Sequence, residues 1–288
     1  MVIRTFKAVR LFNHILLGLV LLVLTGAVWN NRTRLLKATK QWWLGRTTRL
    51  LGMEIELIGE FPTPPGDVGF LLVSNHVSWT DIPVIGSLSR INFLSKAEVK
   101  NWPLVGRLAN TTGTLFIQRG AGNTDGVSRQ IADSIAQGRS VLFFPEGTTS
   151  DGRSVGRFHR KLFRTCEHVH TQVLPLAIHY EVDGLDQETL DAQYAGSNPV
   201  AFIGDDEFTQ HIWRLLSFSK VKGKVAVLPP RTLDMSCLEQ EVNAIRREIQ
   251  TQVEYFNAQR PSVNTISTSA RSPGASSHAD QPGEAASF

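Results

Sequence analysis

In SNHVSWTDIP (74–83), directly after the apolar run GFLLV (69–73), His76 and Asp81 lie five positions apart. An imidazole held on one ring nitrogen by a carboxylate offers its other nitrogen as a general base. The carboxylate fixes the tautomer and stabilises the imidazolium that forms. A regular helix cannot bring the two together, because a five-residue step turns about 500° and leaves the side chains about 140° apart. The pairing therefore requires a strand-to-helix turn. The residue types supply one: Asn75, Ser78, Thr80 and Asp81 favour caps and turns, and Pro83 falls where an early helical position tolerates a missing N–H. Taken alone, HxxxxD is equally served by a capping aspartate beside a hydrogen-bonded histidine at a strand end.

Three further stretches carry chemistry. FLSKAEVKNWPLVGRLANTTGTLFIQRG (93–120) ends a strand at Arg119, whose guanidinium suits bidentate pairing with a phosphate. FFPEGTTSDGR (143–153) leaves another strand through Pro145-Glu146-Gly147-Thr148, a tight, hydroxyl-rich turn exposing backbone amides near one carboxylate. QVLPLAI (172–178) interrupts a strand with Pro175. Ser78, the one hydroxyl near His76 that could form a covalent intermediate, reads as a cap. HxxxxD lacks the third and fourth ligands that zinc takes, and no other grouping supplies them by spacing, so neither a metal nor a cofactor is expected.

These residues need a frame. Apolar runs at 69–74, 91–95, 114–118, 140–145, 172–180, 199–204 and 224–229 read as strands, rich in Val, Ile, Leu and Phe. They are too uniformly apolar for one-sided sheets, which predicts helices over both faces of the central strands. Helices are expected at about 80–88, 99–111, 123–137, 158–169, 205–217 and 237–258. The last opens with a capping-box spacing, Ser236 to Glu239, and repeats Leu238, Val242, Ile245, Ile249, Val253 and Phe256 at intervals of three and four. The fold class is α/β: a mixed, mostly buried sheet covered by helices, with an N-terminal membrane-anchoring helical segment.

The chain has 288 residues, 42% hydrophobic and 19% charged, enough for one sizeable core. Its two cysteines, Cys166 and Cys237, form no CxxC or Cys/His cluster, which argues against a disulfide framework or a structural zinc. Leu11–Trp29 reads as a membrane segment, suited either to spanning or to dipping into one leaflet. Arg32, Arg34, Lys37, Lys40, Arg46 and Arg49 come after it instead of a small-residue cleavage site, which favours an anchor over a signal peptide and, if it spans, places the remainder of the chain in the cytoplasm. Trp42, Trp43, Leu50 and Leu51 among basic residues read as an interfacial helix on anionic lipid. The net charge of +4 clusters beside this segment and the FPEGT turn rather than in an aromatic-interleaved stripe, so nucleic acid is not expected. Residues 1–51 are thus read as anchor and interfacial helix, 52–260 as the α/β domain, and 261–288, rich in Ser, Pro, Ala and Gly, as a disordered tail.

Together NHVSWTD, SKAEVKNWPLVG with its trailing Arg119, FPEGT and VLPLAI stand in the order and spacing of the lysophospholipid acyltransferase family, and the chain resembles its bacterial 1-acylglycerol-3-phosphate acyltransferases over about residues 68–180. The resemblance implies an O-acyltransferase that moves an acyl group from acyl-CoA or acyl carrier protein to the free hydroxyl of a lysolipid, foremost 1-acylglycerol-3-phosphate, at the cytoplasmic face of a bacterial inner membrane. His76 would be the base and Asp81 its orienter. Asn75, Lys96, Arg119, Glu146, Gly147, Thr148 and Thr149 would bind substrate. One departure is Thr149, where family members acting on lysophosphatidic acid commonly carry arginine. This leaves lyso-ornithine lipid or another lysolipid as an alternative acceptor, and a membrane-anchored thioesterase as the rival enzyme class.

Overall fold

The computed structural model describes residues 2–25, 34–102, 104–118, 124–185, 187–194, 196–204 and 206–259. Two helices, α1 (Val2–Leu24) and α2 (Arg34–Leu50), precede β1 (Met53–Ile58) and β2 (Leu71–Ser74). Then come α3 (Asp81–Leu88), β3 (Asn92–Lys96), a 3-10 turn at Ala97–Asn101, α4 (Val105–Thr111), β4 (Leu115–Ile117), α5 (Thr124–Ala136) and β5 (Val141–Phe143). A second 3-10 turn, Arg160–Arg164, runs into the short α6 (Thr165–His168), and after it come β6 (Val173–Val182), α7 (Gln187–Tyr194), α8 (Phe208–Leu215), β7 (Val221–Val227) and α9 (Leu238–Ala258).

The strands form one seven-stranded sheet in the order β1-β7-β6-β2-β5-β3-β4. The run β6-β2-β5-β3-β4 is parallel throughout, while β7 is antiparallel to β6 and parallel to β1. Parallel strands must be covered on both faces, and here they are. Side chains alternate across each strand. Leu71, Val73, Val173 and Ala177 meet Val127, Ile131 and Ile135 of α5 and Val242, Ile245, Ile249, Val253 and Phe256 of α9. Leu72, Leu174, Leu176, Ile178 and Tyr180 meet Leu44 of α2, Val84 and Ile85 of α3, and Leu215 of α8. Burying each large side chain stabilises the fold by about 1.5–3 kcal/mol, so these two layers, not local propensity, hold the sheet.

Several expectations are corrected. The run 199–204 is not a strand: it is a buried loop whose Phe202 N–H donates to Val77 O at 3.0 Å. A short apolar run can serve either purpose, and this one is packed against the turn carrying His76. The helix expected over 99–111 divides into a 3-10 turn and α4, and the one over 158–169 into a 3-10 turn and the four-residue α6. Two elements, β1 and α7, stand where neither strand nor helix is expected. The Ser236–Glu239 capping box does not form; Asp234 instead accepts from the Ser236 N–H at 2.9 Å, one 3-10 turn before α9. The tail 261–288 lies outside the described residues.

The segment α1 is long and apolar enough to cross a membrane by length and composition, and begins well before the expected Leu11. It is not isolated. Trp43 Nε1 donates to His14 O at 3.0 Å, the two rings stack at 4.8 Å, and Lys7 Nζ donates to Phe218 O at 2.9 Å. Of the tryptophan pair, Trp43 faces inward to α1, whereas Trp42 is exposed together with Ile3, Phe6, Val9, Phe12, Val20 and Val23.

Candidate active site

The turn after β2 is built by its own polar groups. Ser78 Oγ accepts from the Thr80 N–H at 3.4 Å, and Asp81, the first residue of α3, reaches back so that its Oδ2 accepts from the N–H groups of Val77 at 2.8 Å and Ser78 at 3.1 Å. The same oxygen meets His76 Nδ1 at 2.7 Å. The turn thus closes the 140° gap that a helix would leave. With Asp81 accepting, Nδ1 carries the proton and Nε2 is the basic nitrogen. Among the described residues Nε2 has no protein partner, and the His76 side chain keeps 19% of its surface exposed while Asp81 is fully buried. Phe144, at the end of β5, stacks on the imidazole at 3.8 Å and 8° between planes.

The other oxygen of Asp81, Oδ1, accepts from Tyr180 Oη at 2.7 Å. Tyr180 lies on β6, beside β2 in the sheet, and is fully buried. Nothing in the sequence pairs positions 81 and 180, since the contact exists only once β2 and β6 lie side by side.

The turn after β5 carries the second carboxylate. Pro145 enters it and Gly147 leaves it with φ of +74°, a conformation that favours glycine, while the Gly147 N–H donates to Phe144 O at 3.1 Å. Glu146 is buried: Oε1 accepts from the His76 N–H at 2.8 Å and Oε2 from the Gly156 N–H at 2.8 Å. Burial raises its ionisation above the ordinary value, partly offset by those two N–H groups. A Cβ on Gly156 would come within 2.7 Å of Oε2, so this approach needs glycine.

The remaining expected site residues divide. Asn75 is fully buried and its amide is spent on β6, Nδ2 donating to Ile178 O at 2.9 Å and Oδ1 accepting from the Ile178 N–H at 2.8 Å. It clamps β2 to β6. Glu146 likewise holds backbone with both oxygens, one N–H on each, and so clamps the segments of His76 and Gly156 together. Thr149 donates its hydroxyl to Phe202 O, tying the FPEGT loop to the 199–204 loop. Thr148 is exposed, and Lys96 is exposed at the end of β3. Arg119 lies outside the described residues, two positions beyond the end of β4. Because β2, β3, β4 and β5 are parallel, their C-terminal ends bring His76, Lys96 and Glu146 to one edge of the sheet, where open α/β sheets place ligands.

The family model described as Acyltransferase matches residues 54–179. Over 224 residues the chain is 41% identical to a lyso-ornithine lipid O-acyltransferase of Pseudomonas aeruginosa, covering 75% of this chain and 81% of that protein. It is 30% identical over 177 residues to a 1-acyl-sn-glycerol-3-phosphate acyltransferase of Neisseria gonorrhoeae, covering 61% of this chain and 66% of that one. In fold it resembles the crystal structure of the 1-acyl-sn-glycerophosphate acyltransferase of Thermotoga maritima, with a TM-score of 0.60 at 18% identity over 89% of this chain and 98% of that one.

Proposed function

The chain belongs to the acyltransferase family, and from that premise we propose that it moves a fatty acyl group from a thioester donor to the free hydroxyl of a lysolipid in membrane lipid synthesis. The observation that carries this reading is the 2.7 Å pairing of His76 Nδ1 with a buried Asp81. His76 Nε2 takes the proton of the acceptor hydroxyl as its oxygen attacks the thioester carbonyl. The C–S bond then breaks and the proton passes to the departing thiolate. Asp81 stabilises the imidazolium in between. Direct attack by the acceptor needs no nucleophile from the enzyme, and Ser78 is fully buried with its hydroxyl accepting inside the turn.

Lyso-ornithine lipid is the proposed acceptor. Two observations support it over 1-acylglycerol-3-phosphate: the greater identity and coverage against the Pseudomonas aeruginosa protein, and Thr149, an uncharged side chain engaged with Phe202 where a phosphate-binding cation would help. The donor is acyl-CoA or acyl carrier protein. The exposed apolar residues of α1 support a lipid surface as the enzyme's place of work, and the basic residues that follow α1 support the cytoplasmic side for its catalytic domain.

Thiol release by purified protein from acyl-CoA and from acyl carrier protein, measured with each lysolipid, tests the proposal. Release that depends on lyso-ornithine lipid is expected. Dependence on 1-acylglycerol-3-phosphate alone would replace the acceptor, and release independent of any acceptor would make the protein a thioesterase.

A further inference from the structure

The acyl transfer proposed for His76 uses one oxygen of Asp81 and leaves the other to a residue that no motif marks. We infer that Tyr180 is a positioning residue for the catalytic pair, its phenol holding Asp81 Oδ1 so that Oδ2 faces the imidazole at a fixed angle and with a fixed share of the charge. The inference rests on the reading of His76 as the base.

The geometry is specific. Three donors, His76 Nδ1 and the N–H groups of Val77 and Ser78, converge on Oδ2, while Oδ1 takes the Tyr180 hydroxyl at 2.7 Å. Withdrawing the phenol would leave Oδ1 a buried acceptor without that donor, free to turn about the carboxylate axis. Tyr180 is itself fixed. Asn198 Nδ2 donates to its backbone carbonyl at 2.6 Å, and its ring lies against Gly223, where a Cβ would sit 3.4 Å from the ring edge. Burial, and then the neighbouring carboxylate, push its ionisation well above the ordinary phenol range, so it remains a donor wherever the enzyme works. A tyrosine serving only to fill this space would need no hydroxyl.

The test is Tyr180→Phe, which keeps the ring, together with 3-fluorotyrosine at the same position, whose more acidic phenol is a stronger donor. Tyr180→Phe should lower kcat by on the order of tenfold, the effect of one lost charge-assisted hydrogen bond, without raising the acceptor KM. It should also move the acid limb of the pH–rate profile to higher pH, because a carboxylate with one donor fewer carries more charge on Oδ2 and retains the imidazolium longer. Fluorotyrosine should move the limb the other way and also reads the effect if the phenylalanine variant folds poorly. Among the described residues Glu146, which takes the His76 backbone N–H, is a further charged group beside the ring, and it is unchanged in both. Unmoved limbs in both proteins, whatever happens to kcat or stability, would overturn the inference. His76→Ala separates the levels: near-normal turnover there refutes the base assignment, whereas its loss beside unmoved limbs refutes Tyr180 alone.

Discussion

Two turns leave neighbouring parallel strands at the same edge of the sheet, and each buries a carboxylate against backbone N–H groups. After β2, Asp81 gathers two backbone donors, a phenol and a histidine ring. After β5, Glu146 gathers only backbone, one N–H from each of two chain segments. The difference lies in the donors. Of all these donors only the imidazole has a second nitrogen that can take up a proton, so Asp81 is proposed to act in chemistry and Glu146 in architecture. A buried carboxylate beside a candidate catalytic histidine is therefore not by itself an acid, a base or a ligand.

Substitutions in the two turns should separate these roles. The largest effect is expected at the first: Asp81→Asn, like His76→Ala, should lower kcat by on the order of 10²–10⁴-fold, while circular dichroism and acceptor KM stay near wild type. Glu146→Gln should cost less, about tenfold to a hundredfold in kcat, because the glutamine can accept one N–H but not both and the backbone of His76 shifts with it. Turnover falling as far in this variant as in Asp81→Asn would erase the distinction.

The pH dependence of folding sharpens it further. The folded-state ionisation of Glu146 lies above its ordinary 4.5, so the folded state retains this proton longer than the unfolded chain. Its favourable contribution is complete below about pH 4.5 and is lost as pH rises through the folded value. Wild type should therefore lose stability relative to Glu146→Gln between about pH 4 and neutrality, read as the difference in urea midpoints, and a constant difference would contradict the burial argument. The smallest effect belongs to Thr149→Val, which removes one hydroxyl bond to Phe202. It should lower unfolding free energy by about 1 kcal/mol and leave kcat unchanged.

Much of the site is legible in the sequence because its parts are close along the chain. His76 and Asp81 share one turn, and Pro145-Glu146-Gly147 form another, so spacing and turn chemistry reveal them. The parts that escape depend on strand neighbours. Asn75 looks like a polar residue at a catalytic turn until β6 supplies Ile178, 103 positions away, for its amide. Tyr180, 99 positions from Asp81, looks like the end of an apolar strand. Gly156 looks like a loop glycine until the Glu146 carboxylate is seen against its Cα. The fold is legible through the same kind of signal and fails in the same way: continuous apolar runs mark the parallel strands, whereas β1, MEIELI, alternates and is mostly solvent-facing, and 199–204 is apolar for burial under a turn.

The pairing of α1 with α2 has a mechanical consequence. His14 and Trp43 lock the two helices, and Gly18 lets them approach so closely that a Cβ would lie 2.8 Å from the indole nitrogen. The next joint is as tight, since a Cβ on Gly86 of α3 would meet Leu44 of α2 at 2.5 Å, and α3 begins with Asp81. From the apolar ridge of α1 to Asp81 the described helices are thus joined by two close contacts, α1 to α2 at Gly18 and α2 to α3 at Gly86. Tethered through two such joints, His76 should keep a set altitude over any surface that receives that ridge, like the flying height of a read head over its disc.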